Sequence, residues 1–407
     1  MPGKGRFSSW IGVAVLIVFG CAVAAVLVSC HSDRVTGLNQ RKLDPALVAQ
    51  GQAVFRFDTY GDESFWTDTL QLNQVVQSSV SPKTALAVGL KVDLDTLPAS
   101  VRAALQAGQV NLDDPATTVT LLKLGAVVGV IGTVDANNNL TSIGITCAFC
   151  HSTVDNSFAP GIGHRLDGWP NHDLNVGAIV ALSPVLPASA KAVYNSWGPG
   201  KYDPRFNFDG INLPVVIPPA FGLRNVAKEI YTGDDTISYW NKYVAVTQMH
   251  GHGSFADARI AVNVSNPPDR VTTPILAALR EYQFSLTNPA PSGLDAAAVS
   301  RGRTVFTGAG RCAGCHVGDA LTDVNNGKLH TPAEVGQSVA YAQRSATKLY
   351  RTTPLRGLYH PPQLQGPYFH DGSAATLDDV VNHYVTVLGL SLSAQQKADL
   401  VAYLKSL

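Results

Sequence analysis

The pentapeptide Cys312-Ala313-Gly314-Cys315-His316 has a counterpart earlier in this chain, Cys147-Ala148-Phe149-Cys150-His151. Two thiols at this spacing can add across the vinyl groups of one haem, and the following imidazole then lies beneath the iron. A structural zinc site would need further ligands folding onto one ion, and a thioredoxin-like pair follows a strand in a βαβ pattern that the sequence does not show. The motifs therefore predict two covalently bound haem c groups, with His151 and His316 as iron ligands.

Length and composition bound the function further. A chain of 407 residues is long enough for two domains with separate cores. Thirty Lys and Arg balance thirty Asp and Glu, and no basic stripe stands out, so nucleic acid is excluded as a partner. The 36 Gly and 24 Pro predict ordered loops in which a cofactor replaces part of the side-chain core.

Residues 1–30 have the pattern of a signal peptide, a lipoprotein signal or a membrane anchor. Lys4 and Arg6 precede an apolar run from Trp10 to Ser29, as in export signals, and the run is long enough to span a bilayer. Leu27-Val28-Ser29-Cys30 resembles a bacterial lipobox, in which Cys30 is lipidated; an uncleaved helical anchor is the alternative. Both predict a protein on the periplasmic side of a bacterial membrane, lipid- or helix-anchored, where c-type haem attachment is completed.

A thirteen-residue repeat organises the fold. Leu43 to Phe55 and Leu294 to Phe306 are identical at seven of thirteen positions. In each copy the aspartate, Asp44 or Asp295, is a predicted N-cap of a helix with Val and Phe on its inner face. Such a helix opens a cytochrome c domain.

The predicted fold is mainly α, with two cytochrome c-type haem domains at residues 40–270 and 290–407 and extended ordered loops. The helix-like segment Pro274 to Leu286 joins them. Residues 56–146 are an insertion in the first domain, and their number predicts a cap over one haem. Within the insertion, Thr117 to Val134 fits either a buried helix or a hairpin.

The ligand above each iron decides what the haem can do. After the initiator, Met249 is the only methionine, so at most one haem is the common His/Met carrier. For the second haem, the helical pattern from Thr376 to Val387 favours His383 as sixth ligand, with Tyr384 as the alternative. His370 lies in a Tyr-Phe-His-Asp-Gly turn, where it can instead bond a propionate or a backbone carbonyl.

The repeat continues in Asn241-Lys242-Tyr243, which parallels Asn382-His383-Tyr384 and aligns Lys242 with His383. The iron of the first haem is therefore predicted to be five-coordinate or weakly held by Met249, His164 or His172. The two histidines lie in a glycine-rich loop after the first motif. They are the candidate catalytic residues, as proton donors to peroxide or dioxygen on an open iron. The alternative is that the loop only packs the haem edge.

Arg224 and Arg356 are predicted partners of haem propionates, because a guanidinium fork suits a carboxylate.

Three segments in the last third of the chain carry a family resemblance: Tyr350 to Gly357, Gly366 to Ser373 and Thr376 to Tyr384. They resemble the C-terminal signature of the bacterial di-haem cytochrome c peroxidase superfamily, which includes MauG-like and rubber-oxygenase-like proteins. The resemblance covers residues 294–407 well and the first motif loosely, whereas residues 56–146 do not match the short peroxidases.

The resemblance implies a peroxidase-like oxidoreductase in which the second haem relays electrons to a reactive first haem that activates hydrogen peroxide or dioxygen. It implies a small electron-donor protein, either a cytochrome or a cupredoxin, or a quinol-linked chain. Tyr384 stands where peroxidases have a methionine ligand, as in the MauG-like enzymes, and His383 would give the ligation of rubber oxygenases. A calcium ion near Thr352 to Pro354 is a further implication. A non-catalytic electron-transfer cytochrome and a rubber-oxygenase-type enzyme are the alternatives.

Overall fold

The computed structural model describes residues 42–361, 364 and 366–407. The predicted signal or anchor, with Cys30, lies outside this part. Among the described residues, no helix combines the length and apolar character needed to cross a membrane.

The described chain is mainly helical, with five small two-stranded sheets. In chain order, the helices are α1 (Pro45–Phe57), α2 (Leu72–Ser79), α3 (Pro82–Ala87), α4 (Ala99–Gln106), α5 (Pro115–Lys123), α6 (Ala148–His151), α7 (Val176–Ala181), α8 (Ala188–Asn195), α9 (Phe206–Asp209), α10 (Ile237–Thr247), α11 (Thr273–Ser285), α12 (Ala296–Thr307), α13 (Pro332–Val335), α14 (Val339–Gln343), α15 (Leu377–Val387) and α16 (Ala394–Lys405). A π-helix spans Ser64–Thr69, and short 3₁₀ turns span Leu94–Thr96, Ala258–Ile260, Cys312–Gly314 and Asp323–Asn326.

The strands are β1 (Val92–Asp93), β2 (Val130–Val134), β3 (Leu140–Ile145), β4 (Ser152–Val154), β5 (Ile162–Gly163), β6 (Arg165–Asp167), β7 (Lys201–Tyr202), β8 (Val215–Val216), β9 (Gly253–Asp257) and β10 (Val262–Asn266). β1 pairs with β5 in parallel. The pairs β2–β3, β4–β6, β7–β8 and β9–β10 are antiparallel.

The thirteen-residue repeat forms the predicted helices α1 and α12. The Asp44 carboxylate accepts the Ala46 N–H at 2.9 Å, and the Asp295 carboxylate accepts the Ala297 N–H at 2.9 Å. Each aspartate thus satisfies an N–H that has no partner inside the helix. The predicted N-caps are confirmed.

Each repeat helix packs against a later helix at a glycine. A Cβ on Gly51 of α1 would lie 2.0 Å from the Ala278 carbonyl oxygen of α11, and one on Gly302 of α12 would lie 1.9 Å from the Asp399 carbonyl oxygen of α16. Only a residue without a side chain allows this approach. The segment assigned from sequence to the connection therefore contains helix α11, which pairs with α1 as α16 pairs with α12. The predicted division at residues 270 and 290 remains a prediction.

The insertion builds a hydrophobic core of its own. Thr117 to Val134 contains most of helix α5 and then strand β2, so both alternatives from the sequence are present in succession. Buried side chains of this core include Trp66, Leu122 and Ile143, and Phe149 of the first motif belongs to the same cluster. The insertion therefore packs directly against the first motif.

Candidate haem sites

Both motifs close with the same turn. The His151 N–H donates to the Cys147 carbonyl at 3.1 Å, and the His316 N–H donates to the Cys312 carbonyl at 3.0 Å. The cysteines of both motifs are free thiols. Each turn therefore carries two unbonded sulfur atoms followed by an imidazole, which is the arrangement that haem attachment requires.

The two imidazoles are oriented in the same way. His151 Nδ1 lies 3.0 Å from the Pro218 carbonyl, and His316 Nδ1 lies 2.9 Å from the Leu321 carbonyl. A carbonyl can only accept, so Nδ1 carries the hydrogen and Nε2 keeps the lone pair that binds a metal. Burial lowers the pKa of His151 to about 4 and also lowers that of His316, so both rings are neutral at pH 7. The residues of both motifs fit haem c.

The surroundings of the two motifs differ. In the first, Ala148 is 0% and Phe149 3% exposed. Gly129 has φ +73°, and a Cβ there would lie 2.1 Å from the Phe149 nitrogen, so the loop before β2 needs glycine to reach the motif. In the second motif Gly314 is exposed, and a Cβ on it would meet no atom within 4 Å among the described residues. The first motif is covered by the insertion, and the second lies at the surface.

Helix α15 runs beside the second motif. Its N-terminus is fixed by a capping box between Thr376 and Asp379, which confirms the predicted start of the helix. Burial, together with the nearby Cys315 and Cys312 thiols, raises the pKa of Tyr384 to about 12. Tyr384 therefore lies within electrostatic range of the motif cysteines.

His383, the neighbour of Tyr384, has a different partner. Its Nε2 lies 2.9 Å from the Val335 carbonyl and therefore donates to it. This hydrogen bond ties α15 to the end of α13. The atom that would bind iron is thus engaged with the backbone.

Helix α10 is the counterpart of α15 in the first half. Its Tyr243 is 1% exposed and donates its hydroxyl to the Pro204 carbonyl at 2.7 Å. Lys242, which the repeat aligns with His383, lies 3.9 Å from the Asp269 carboxylate. Met249 follows α10 and is buried in the cluster that also contains Ala148 of the first motif.

The two candidate catalytic histidines have different positions. His164 is on the surface, with its side chain 54% exposed and Nδ1 2.9 Å from an Asp95 carboxylate oxygen, and this pairing raises its pKa. His172 is half-buried, and burial lowers its pKa. The centroid of its ring lies 6.4 Å from that of the His360 ring.

The predicted propionate and calcium residues are also placed. The Arg356 guanidinium donates to the carbonyls of Gly222 at 3.1 Å, Arg224 at 2.7 Å and Asp319 at 3.1 Å. Arg224 thus contributes its backbone oxygen to this contact. In the predicted calcium segment, the Thr352 carbonyl accepts the Thr322 hydroxyl at 2.6 Å. Propionate binding and calcium binding both remain predictions.

One group of potential metal ligands occurs in the described part of the chain, formed by Cys315, Asp323 and His330. His330 Nε2 lies 3.1 Å from an Asp323 carboxylate oxygen, and both side chains are buried. Cys315 belongs to the second motif. The group is therefore part of the second candidate haem site.

Sequence reasoning missed an aromatic cluster around His370. The His370 ring stacks on Tyr231 with centroids 4.5 Å apart and meets Tyr341 edge-on at 4.5 Å. Tyr350 lies 5.3 Å away, and the His370 carbonyl accepts the Val216 N–H at 2.7 Å. The tyrosines are far apart in sequence, so no local pattern indicates the cluster.

Sequence reasoning also missed a buried ion cluster. Arg344 donates to both carboxylate oxygens of Asp203, at 2.9 and 3.0 Å, and to both of Asp209, at 2.8 and 2.9 Å. Arg205 donates in turn to the Arg344 carbonyl. This cluster, Arg344–Asp203–Asp209, fastens the second half of the chain to the loop after β7.

No protein-family model matches the chain. The methylamine utilization protein MauG of Methylorubrum extorquens is 29% identical over 141 residues, and the match covers 31% of this chain and 38% of MauG. A solved hydrazine synthase of Kuenenia stuttgartiensis has a TM-score of 0.34 at 19% identity and covers 48% of this chain and 72% of that one. A MauG-like protein associated with microbial copper homeostasis has a TM-score of 0.32 at 19% identity, with 47% and 72% covered.

TM-scores of this size carry no inference about the fold, and the sequence match spans less than half of MauG. The chain therefore resembles MauG, and this similarity is shown over 141 residues.

Proposed function

We propose that the protein is an extracytoplasmic di-haem c-type cytochrome that acts as a peroxidase-like oxidoreductase. The haem held by Cys147, Cys150 and His151 is the one that activates hydrogen peroxide or dioxygen, and the haem at the second motif receives electrons. The observation that carries this proposal is the pair of equivalent motif turns in unequal surroundings.

Haem iron, once bound, supplies the electron-transfer and oxidant-activating chemistry. The protein's part is attachment, orientation and exclusion of water. The cysteine thiols form the thioethers, and the Pro218 and Leu321 carbonyls fix the rings of His151 and His316. The insertion packed on Phe149 keeps bulk water from the first site.

The asymmetry above the two irons rests on the paired helices α10 and α15. We assign the sixth ligand of the second haem to Tyr384 rather than His383, because His383 Nε2 donates to Val335 and Tyr384 lies within electrostatic range of the cysteines. At the first site the corresponding Tyr243 hydroxyl is held by the Pro204 carbonyl. Held in this way, Tyr243 would not be free to bind an iron, so a haem at the first site could take an oxidant.

The exposure of the second motif suits electron entry. Gly314 and its neighbour Arg311 are exposed, so a small cytochrome or cupredoxin, or a quinol-linked chain, can approach this edge. Electron transfer is favoured when the donor's redox centre comes close to the haem. Gly314 has no side chain that would keep a donor protein away from the second motif. The first motif offers no such approach, since Ala148 and Phe149 are buried.

Electron paramagnetic resonance of the oxidised holoprotein tests the proposal. We expect one high-spin signal that shifts when cyanide or hydrogen peroxide is added, and one low-spin signal that does not. Tyr243→Phe is the matched control for Tyr384→Phe, since only the second tyrosine is assigned to iron. Two low-spin haems that ignore added ligands in every redox state would instead identify an electron-transfer cytochrome without a substrate.

The rubber-oxygenase alternative predicts an apolar substrate cavity. The insertion does contain one of about 50 Å³, lined by side chains such as Val76, Leu86 and Leu121. A cavity of this volume holds a few small atoms and not a polymer chain. The peroxidase-like function is therefore preferred.

A further inference from the structure

A second cavity, of about 40 Å³, lies next to the Arg344–Asp203–Asp209 cluster. Its lining includes Tyr231, Tyr243, Arg205 and Arg344. Thr232, Asp234, Trp240 and Ser345 are further polar residues of the wall. A site for one water needs roughly 10–15 Å³ of such volume, so this cavity can hold two or three water-sized atoms.

Three hydrogen-bond donors of this wall have no hydrogen-bond partner among the described residues. They are Thr232 Oγ1, Trp240 Nε1 and Arg205 Nε. Thr232 is 0% exposed. Arg205 Nε is 3.7 Å from an Asp209 oxygen, which is too far for a hydrogen bond. Buried donors without partners are rare in proteins, so three around one cavity indicate that an acceptor belongs there.

The charges around the cavity argue against an anion. The guanidinium groups of Arg205 and Arg344 are balanced by the carboxylates of Asp203 and Asp209, which Arg344 engages fully. Asp234 adds a further negative charge to the wall. An anion would meet net negative surroundings, whereas a neutral acceptor uses the three donors without that repulsion.

Tyr202 connects the cavity to the first motif. In the β7–β8 pair it lies opposite Val215, which lines the cavity. Burial, followed by the nearby Cys150, Tyr243 and Tyr231, raises the pKa of Tyr202. Tyr202 and Cys150 also pack against the same hydrophobic cluster, and Pro218, three residues after Val215, carries the carbonyl that holds His151.

We propose that this cavity is the binding pocket for hydrogen peroxide, the neutral oxidant of the proposed function, on which this inference rests. Peroxide has two oxygen atoms, which suits the volume, and lone pairs for the donors of Thr232, Trp240 and Arg205. Its own O–H groups meet the Asp234 carboxylate. In the resting protein, water molecules occupy the same positions.

Kinetics on the holoprotein test the pocket. Thr232→Val and Trp240→Phe each remove one donor and keep the shape, so we expect KM for hydrogen peroxide to rise about tenfold while kcat changes less than twofold. Thr247→Val and Trp197→Phe are matched controls, because those donors are satisfied by the Tyr243 carbonyl at 2.6 Å and the Asn212 amide oxygen at 2.9 Å. An unchanged KM in both pocket variants overturns the proposal.

A crystal structure of the holoprotein gives a readout that does not depend on turnover. We expect ordered solvent within hydrogen-bond distance of Thr232 Oγ1, Trp240 Nε1 and Arg205 Nε, and its loss in Thr232→Val. A dry cavity in the wild-type protein overturns the pocket. If the holoprotein contains this solvent but does not react with hydrogen peroxide, the peroxidase function and the assignment of peroxide to the cavity are both wrong. The cavity would then still be a site for a small hydrogen-bond acceptor.

Discussion

The first and second motifs have the same turn and the same histidine orientation, yet one is covered and the other lies at the surface. Phe149 of the first motif is 3% exposed and packs into the core of the insertion, whereas Gly314, at the same position of the second motif, is exposed. The difference comes from residues outside the motifs. It teaches that the attachment chemistry is local, whereas the role of each haem is set by what the rest of the chain places around it.

The largest expected effect comes from the close contact that covers the first motif. Gly129→Ala forces a side chain at φ +73° into a position 2.1 Å from the Phe149 nitrogen. We expect the free energy of unfolding to fall by more than about 4 kcal/mol, with loss of the first haem. Denaturant titration and pyridine haemochrome stoichiometry measure both quantities.

Gly314→Ala is the matched change in the second motif, where a Cβ meets no described atom within 4 Å. Its free energy of unfolding should stay within about 0.5 kcal/mol of the wild type. Equal losses from the two variants would remove the contrast between a covered and an exposed motif.

The next effect concerns the ion cluster that joins the two halves. Arg344→Met removes the guanidinium group that pairs with the carboxylates of Asp203 and Asp209. The side chain of Asp203 is fully buried. Since an unpaired buried charge is strongly destabilising, we expect a loss of about 3–4 kcal/mol in the free energy of unfolding. Arg301→Met is the control: its contact with Asp399 has a half-exposed arginine, so a smaller loss is expected. A loss no larger than that of the control would contradict a structural role for the cluster.

A pH effect distinguishes the covered motif. Asp62 is 0% exposed, its carboxylate accepts the Ile145 N–H at 3.2 Å, and burial raises its pKa to about 9. The unfolded carboxyl has a pKa of about 3.9. The folded protein therefore retains a proton that the unfolded chain releases, so this contribution to stability is complete below about pH 4 and is lost as the pH rises towards 9.

We expect Asp62→Asn to become more stable relative to the wild type by about 2–3 kcal/mol between pH 5 and pH 7. Urea denaturation of both proteins across this range measures the difference. Parallel pH profiles would show that Asp62 does not hold the proton.

The smallest effect on stability, with a clear spectral consequence, comes from the paired tyrosines. Tyr243→Phe loses the hydrogen bond to Pro204, and we expect a cost of about 1 kcal/mol with both spin states unchanged. Tyr384→Phe should convert the second haem to high spin. His383→Ala should leave it low-spin, because His383 Nε2 donates to Val335. A high-spin second haem in His383→Ala would restore the histidine predicted from sequence.

Local features of the fold were predictable from the sequence. The caps at Asp44, Asp295 and Thr376 depend on a side chain and a backbone N–H two or three residues away, so short windows contain the full interaction. The turn of each motif is equally local. The repeat predicted the equivalence of α1 and α12 because the same residues make the same contacts in both.

Other features were not accessible in this way. His383 and Tyr384 are adjacent on one helix and point about 100° apart, so a helical pattern alone cannot tell which faces an iron. The Arg344 cluster and the stacking of Tyr231 on His370 join residues separated by more than one hundred positions. Their pairing follows from the fold of the whole chain, which no local window contains.

The glycine contacts between paired helices have a use beyond this chain. Gly51 and Gly302 each follow their capping aspartate by seven residues, and each removes a single methyl group that would otherwise separate two helix axes. A distance of seven positions between cap and glycine is short enough to read in any sequence. Upstream of a Cys-x-x-Cys-His motif, it provides a search signature for chains built on the same helix pair, including those whose overall identity is too low to align.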